Sequence, residues 1–237
     1  MRKIRGTEWD DFPPVWIHAR ELAVKKHPSY NAAKSGDPEA AFQLVQDSIS
    51  TEIVKQLGKF LEQQDPILVS AHAIEGTGVN AIPEALANML AEHLGWRTDS
   101  GIVQTNIVSH TGADGFSRLA RQAEFDGSVI PGEVYLMVDD FVGQGGTLAN
   151  LRSHIISGGG QAMGATVLTG KPYSARLALT SETLNALRLK HGQELESWWE
   201  RRFGFGFDCL TESEARYLFK TSDVDRIRDR IVAAVKT

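Results

Sequence analysis

The hydrophobic positions of the chain follow helical spacing in some stretches and form short continuous runs in others. Apolar residues three and four positions apart predict one long amphipathic helix over 38–62 and a second over 82–94. A further helix is expected over 147–157, where the glycines that follow end it. Short apolar runs predict strands at 67–71, 101–106, 134–138 and 165–169. This alternation is typical of a parallel β-sheet core flanked by helices, so the expected fold class is α/β.

The stretches around this core have other patterns. Residues 1–38 are rich in proline and weakly periodic, and a short helix is expected within 15–26. Residues 107–131 show no convincing strand and predict a long loop with one helix near 114–123. We therefore expect neither stretch to contribute a strand to the sheet.

Length and composition fit one compact domain. The chain has 237 residues, of which 42% are apolar and 23% charged, and a chain of this size buries roughly 70–75% of its extended surface. We expect a core over 65–172, preceded by a segment with the long helix (1–64) and followed by a mainly helical region (173–237). The two flanking parts would form helical additions that cover the core as a hood.

Charge and cysteine content exclude several classes of protein. The 25 basic and 30 acidic residues give a net charge of −5, without the basic excess of a dedicated nucleic-acid binder. No apolar run approaches the ~20 residues that cross a bilayer, so no membrane partner is expected. The single cysteine, Cys209, cannot form an internal disulfide, which favours a reducing, cytoplasmic location.

The segment 134–151 carries the clearest chemical signal. Asp139 and Asp140 follow a buried strand, glycines at 143, 145 and 146 follow in a loop, and Thr147 opens a helix. Glycines let the backbone approach an anion, and the helix N-terminus supplies unpaired N–H groups. Paired carboxylates accept hydrogen bonds from sugar hydroxyls or hold Mg²⁺. Together these parts predict a site for a ribose that carries a 5′-phosphate.

Other glycine motifs fit this segment less well. A dinucleotide-binding G-x-G-x-x-G fails because Leu148 stands at its third glycine, and no Walker sequence is present. A glycine-rich turn with two solvated aspartates remains an alternative interpretation.

The order of strand, Asp-Asp, two residues and a glycine-rich loop ending in Gly-Thr-Leu resembles the phosphoribosyl-pyrophosphate (PRPP) motif of type I phosphoribosyltransferases. The resemblance spans roughly 65–175, and only 134–148 is specific to it. It implies that Asp139 and Asp140 contact the ribose 2′ and 3′ hydroxyls and take part in Mg²⁺ binding. It also implies a ligand-binding loop, formed by Phe141, Val142, Gly143, Gln144, Gly145, Gly146 and Thr147.

The same resemblance assigns roles outside the motif. His72 and Ala73 lie in the stretch similar to the family's pyrophosphate loop, and Arg118 and Arg121 lie where the family has its flexible catalytic loop. Lys171 resembles the lysine with which purine phosphoribosyltransferases bind the base. Where most members have threonine just before the first glycine of Gly-Gly-Thr, this chain has Gln144.

Three functions are consistent with these residues. The leading one is Mg²⁺-dependent transfer of a phosphoribosyl group between PRPP, or a nucleoside 5′-monophosphate, and a nitrogenous base of purine type, by a homodimer. The second is hydrolysis of a phosphoribosyl bond, and the third is non-catalytic sensing of a nucleotide or of PRPP. Fold class alone does not separate them.

Overall fold

The computed structural model describes residues 5–71, 74–75, 78–106 and 114–235. Strands lie at β1 (Trp16–Arg20), β2 (Ile67–Ser70), β3 (Ile74–Glu75), β4 (Gly78–Val79), β5 (Arg97–Asp99), β6 (Val103–Gln104), β7 (Phe125–Asp126), β8 (Val134–Val142) and β9 (Gln161–Gly170). Helices lie at α1 (Glu21–Lys25), α2 (Tyr30–Lys34), α3 (Pro38–Ser48), α4 (Thr51–Phe60), α5 (Ile82–Leu94), α6 (Gly115–Ala120), α7 (Gly146–Ser157), α8 (Ser181–Phe203), α9 (Glu212–Lys220) and α10 (Val224–Val235). Short 3₁₀ turns lie at Pro172–Ser174 and Phe207–Cys209.

The central sheet has five strands in the order β1-β9-β8-β2-β5, and each neighbouring pair is parallel. The chain passes from β2 through α5 to β5 at one edge, and from β8 through α7 to β9 on the opposite side. The direction of winding therefore changes between β2 and β8. In open parallel sheets, ligands bind outside the carboxyl ends of the strands at such a point. The α/β class expected from the sequence is confirmed.

Both faces of the sheet are covered. Tyr135 and Met137 of β8 pack in a core with Leu151 of α7, whereas Leu136 and Val138 pack on the other face with α3, α4 and α5. This alternation follows from the period of two along a strand. The continuous apolar run of β8 reflects burial on both faces.

A third hydrophobic cluster joins the C-terminal helices. Phe116 of α6 packs there with Trp199 of α8, Leu218 of α9 and Ile231 of α10. The helical character expected for 173–237 is confirmed. Because Phe116 of α6 belongs to this cluster, the C-terminal helices hold α6 in place.

The single long helix expected over 38–62 is wrong. Ile49 and Ser50 have extended backbone, with ψ angles of 133° and 117°, and they separate α3 from α4. The Ser50 hydroxyl accepts a hydrogen bond from the Ile53 N–H (3.3 Å) and caps α4. Leu44 and Leu57 pack in the same core cluster, so two helices reproduce the pattern of one.

The helix expected within 15–26 is also only partly correct. Residues Trp16–Arg20 form the edge strand β1, which pairs with β9, and α1 occupies only Glu21–Lys25. The hydroxyls of Thr166 and Thr169 donate to the carbonyls of Trp16 and Ala19 at 3.1 and 2.7 Å. The N-terminal segment thus supplies a strand of the central sheet.

The strand expected over 101–106 does not join the main sheet. Arg97–Asp99 pairs with β2 instead, and Val103–Gln104 forms an antiparallel pair with Phe125–Asp126. The latter strand lies in the stretch where no strand was expected. Two-residue strands leave too short a pattern to recognise in a sequence.

Strand β8 is longer than the sequence predicted, and it contains Asp139 and Asp140. The neighbouring β2 ends at Ser70, opposite Val138, whereas β9 continues beside β8 to Gly170. The two aspartates therefore lie just past the end of β2, and one side of β8 is open to a ligand there. None of the helices in the described ranges combines the length and hydrophobicity needed to span a membrane.

Candidate functional site

A cavity of about 220 Å³ opens at the carboxyl ends of β2 and β8. Ala71, which follows β2, and Asp139 of β8 both line it. The residues that the sequence predicted for the site and that line this cavity are Arg118, Arg121, Asp139, Asp140, Phe141, Gly143, Gln144, Gly145, Gly146 and Thr147. The fold thus brings the acidic pair, the glycine loop and the two arginines together.

The acidic pair is buried unequally. Asp139 is 8% exposed, and its Oδ1 accepts a hydrogen bond from the Asp140 N–H at 2.7 Å. Burial, and then the neighbouring charge of Asp140, raise the pKa of Asp139 well above its ordinary value. Successive residues of a strand point to opposite faces, so the Asp139 and Asp140 carboxylates project from opposite faces of β8.

A lysine that sequence reasoning missed contacts this pair. The Lys34 Nζ lies 3.0 Å from the Asp140 Oδ2, and both side chains are largely buried. Lys34 ends helix α2, where the Ala33 carbonyl accepts a hydrogen bond from the Ala81 N–H (3.1 Å). No motif surrounds this lysine, and 106 residues separate it from its partner.

The glycine loop leads into the N-terminus of α7. Gly145 is the N-cap and has a left-handed backbone (φ 82°), and no side chain caps the helix there. The first N–H groups and the positive end of the helix dipole at such a terminus favour an anion. The Gln144 Oε1 is buried and has no hydrogen-bond partner within the described part of the chain.

The space around the glycines shows why the loop needs them. A Cβ on Gly145 would overlap with Leu177 Cδ2, and one on Gly146 would lie 2.8 Å from Glu214 Oε1. A side chain at either position would therefore run into packed protein. A Cβ on Gly143 would meet the end of the Arg118 side chain, 2.8 Å from Nη1, and the Phe141 ring, 3.2 Å from Cε1.

The two arginines differ in how they are held. Arg118 lies on α6, and its Nε is buried without a hydrogen-bond partner among the residues that the structure describes. Arg121 follows the same helix, and its Nε donates to the Ala234 carbonyl at 3.3 Å. The Asp114 side chain caps α6 by accepting from the Ser117 N–H (2.8 Å). Arg118 is thus positioned at the cavity with unused donor capacity.

The C-terminal region anchors the loop from behind. The Thr211 hydroxyl donates to the Gln144 carbonyl at 2.6 Å and also caps α9 by accepting from the Glu214 N–H. Glu214 lines the cavity and forms a buried ion pair with Arg5, with Nη1 to Oε2 at 2.5 Å. The Arg5 Nη2 also donates to the Gly146 carbonyl at 3.3 Å. The Thr-x-x-Glu pattern at 211–214 is a capping-box signal that was available in the sequence.

The remaining predicted residues do not line the cavity or lie outside the described residues. Val142 is 1% exposed and packs in the hydrophobic core, while the Lys171 Nζ lies 2.5 Å from Glu21 Oε2. That hydrogen bond raises the pKa of Lys171 above its ordinary value. His72 and Ala73 lie outside the described residues.

The acidic pair does not fit Mg²⁺. One oxygen of each carboxylate is already engaged, on Asp139 by a backbone N–H and on Asp140 by the Lys34 ammonium. Mg²⁺ requires near-octahedral oxygen ligands, and an adjacent ammonium repels a second cation. Within the described ranges, no group of three or more His, Cys, Asp and Glu side chains is arranged to hold a metal ion.

Comparison with known proteins gives relatives without a stated activity. Protein TraN of Escherichia coli is 41% identical over 226 residues, which are 95% of this chain and 50% of that protein. An uncharacterized protein of Haemophilus influenzae is 40% identical over 151 residues, which are 63% of this chain and 34% of that protein. No protein-family model matches the chain. The chain spans about half or less of the length of these curated relatives.

These comparisons correct the classification drawn from the motif. The sequence classified the chain as a cytoplasmic phosphoribosyltransferase, a nucleotide-binding transferase with PRPP and magnesium. The relative that matches nearly the whole chain has the name Protein TraN and not that of a phosphoribosyltransferase. The classification as such a transferase is therefore wrong.

Proposed function

We propose that the cavity binds the ribose 5-phosphate part of a ligand, in a nucleoside 5′-monophosphate or in PRPP, and that the chain is a non-catalytic sensing module. Its core is proposed to be phosphoribosyltransferase-like in fold, with the sheet and the loop used for binding. The loop Gly143–Thr147 holds the phosphate, and Asp139 and Asp140 accept hydrogen bonds from the ribose hydroxyls.

One observation carries this proposal: the uncapped N-terminus of α7 and the acidic pair share one cavity at the switch point of the sheet. A helix N-terminus favours a phosphate, and carboxylates favour the hydroxyls of a sugar. Two buried polar atoms at this cavity, Gln144 Oε1 and Arg118 Nε, have no partner within the described residues. The large majority of buried side-chain polar atoms in proteins have a hydrogen-bond partner, so these two atoms support a polar ligand.

The balance of charge in the cavity agrees with an anion. The cationic side chains at its lining, among the described residues, are those of Lys34, Arg118, Arg121 and Lys25, and Lys25 is paired with Glu21 at 2.6 Å. The acidic ones are Asp139, Asp140 and Glu214, and Glu214 is neutralised by Arg5. Base recognition by Lys171 is not part of the proposal, because Glu21 binds its ammonium.

Isothermal titration with phosphorylated and unphosphorylated ligands tests the proposal. Ribose 5-phosphate, AMP, GMP and PRPP are titrated into the full chain beside ribose and adenosine, and only the phosphorylated ligands are expected to bind. Thr147→Val should weaken their binding about 10- to 100-fold, because a hydrogen bond to a charged group contributes about 1.5–3 kcal/mol. Thr98→Val, at an exposed threonine of β5, is the matched control.

Two results would contradict the proposal, each in a different part. Equal binding of adenosine and AMP would place the phosphate outside the loop. Release of pyrophosphate from PRPP in the presence of a purine base would show that the chain is catalytic, while leaving the binding site as proposed.

A further inference from the structure

We propose that the Lys34 ammonium is the resident counter-cation of the Asp139–Asp140 pair, so that the cavity binds its phosphorylated ribose without a divalent metal. This inference rests on the proposed function, because it concerns the ligand of the same cavity. It assigns a role to a residue that lies outside every motif in the sequence.

The contact between Lys34 and Asp140 is short and sheltered. Nζ and Oδ2 are 3.0 Å apart, and the two side chains are 18% and 13% exposed. Exposed ion pairs contribute little because water screens them, whereas a pair withdrawn from water interacts more strongly. Lys34 also lines the cavity, so its charge lies where the ligand would bind.

The backbone holds Lys34 in this place. The preceding residue, Ala33, is fully buried, and its carbonyl accepts a hydrogen bond from the Ala81 N–H. The turn after α2 packs so closely that a Cβ on Gly36 would lie 2.9 Å from the Val79 carbonyl oxygen. The end of α2 is therefore fixed against the segment that leads into α5, and this packing positions Lys34 at the cavity.

Charge explains why a cation is needed there. Two adjacent carboxylates at the end of β8 repel each other, and a bound phosphate adds further negative charge nearby. The pair has four carboxylate oxygens in all, and the ammonium already contacts one of them, the Asp140 Oδ2. An ammonium and a divalent ion on the same carboxylate repel each other, so Lys34 disfavours Mg²⁺ at Asp140.

The experiment measures binding of ribose 5-phosphate to the full chain by isothermal titration, once with EDTA and once with Mg²⁺. The wild type is expected to bind equally in both buffers. Lys34→Met should bind at least tenfold more weakly in EDTA and recover part of the loss in Mg²⁺, because the metal can then reach Asp140. Lys34→Arg should retain metal-independent binding, and Lys55→Met, at an exposed lysine of α4, is the matched control.

Each other outcome has a definite meaning. Wild-type binding that EDTA abolishes would overturn the role of Lys34 while the proposed function stands. Unchanged binding by Lys34→Met in EDTA would overturn it as well. No binding of ribose 5-phosphate in either buffer would overturn the proposed function and this inference with it. The wild-type comparison needs no variant, so it is decisive even where Lys34→Met fails to fold.

Discussion

Asp139 is a residue that the candidate site uses although its burial is unfavourable for the stability of the fold. It lies in strand β8, whose first five residues are apolar and buried, and Asp139 itself is only 8% exposed although it carries a carboxyl group. Burial raises its pKa well above the ordinary value of 3.8. Buried charges without full compensation are costly to the folded state and are common at functional sites.

This raised pKa predicts how stability depends on pH. Above 3.8 the unfolded chain releases the Asp139 proton, but the folded chain retains it until its own higher pKa is passed. In that window the folded state binds more protons, so the free energy of unfolding falls as the pH rises. Asp139→Asn cannot ionise and keeps an acceptor for the Asp140 N–H, so it should be more stable than the wild type at pH 7.

Thermal unfolding at pH 4 and pH 7 measures this effect. A gain of 1 kcal/mol would raise Tm by about 2–4 °C in a chain of this length, and the advantage of Asp139→Asn should shrink at pH 4. An advantage of the same size at both pH values would show that another group is responsible.

The glycines of the loop give a second prediction at this scale. Gly145→Ala should destabilise the fold by about 2–4 kcal/mol, from the left-handed backbone and from the contact with Leu177. Gly143→Ala should cost less, about 1 kcal/mol, because Gly143 has no left-handed backbone and its Cβ would meet the flexible end of Arg118 and, at 3.2 Å, the edge of the Phe141 ring. It should instead weaken binding of ribose 5-phosphate by displacing Arg118. Chemical denaturation and titration of both variants check this, and equal destabilisation would contradict it.

At the scale of elements, the sequence predicted those helices and strands whose patterns are long. Helix α5 agrees with its pattern in both bounds, and α7 agrees to within one residue. The break between α3 and α4 was missed because Ile49 and Ser50 interrupt the backbone without interrupting the apolar face. Strand β1 was missed because five residues with one buried member leave no clear alternation.

The N-terminus of α9 links an ordinary capping motif to the candidate site. Thr211→Val removes the cap of α9 and the hydrogen bond to the Gln144 carbonyl. Loss of the cap should cost about 0.5–2 kcal/mol, and the released loop should bind ribose 5-phosphate several-fold more weakly. Denaturant unfolding and titration measure the two effects separately.

Ser50→Ala is the control for this prediction. Ser50 caps α4, which does not contribute to the cavity lining. It should lose a similar amount of stability and no affinity. If Thr211→Val loses only stability as well, then the loop does not depend on α9 for its binding conformation.

At the scale of the whole molecule, the site is assembled from segments that are far apart in the chain. The motif at 134–148 identified the acidic pair and the loop, which lie in one stretch. Lys34, Arg5 and Glu214 reach the same place only through the sheet and the C-terminal helices, and 209 residues separate Arg5 from Glu214. A single sequence gives no signal for such pairs, because neither partner has a local pattern that depends on the other.

The Arg5–Glu214 ion pair connects the N-terminal segment to α9 beside the loop. Both side chains are almost fully buried, and Arg5 also contacts Asn150, Gln122 and the Gly146 carbonyl. Removal of one partner from a buried pair leaves an uncompensated charge and costs about 3–5 kcal/mol. Arg5→Met should therefore be strongly destabilised.

Arg5→Met should also weaken the binding of ribose 5-phosphate about tenfold or more, since the Glu214 carboxylate at the cavity would then repel the phosphate. Adding Glu214→Gln to Arg5→Met should restore most of the affinity, because it removes that charge.

Arg152→Met is the matched control: Arg152 is buried and bonded to the Glu8 carbonyl, but it does not line the cavity. It should lose stability and keep its affinity. Titration of all three below their melting temperatures tests this, and failure of the double variant to recover would show that Arg5 acts on the loop through its contact with Gly146 and not through charge.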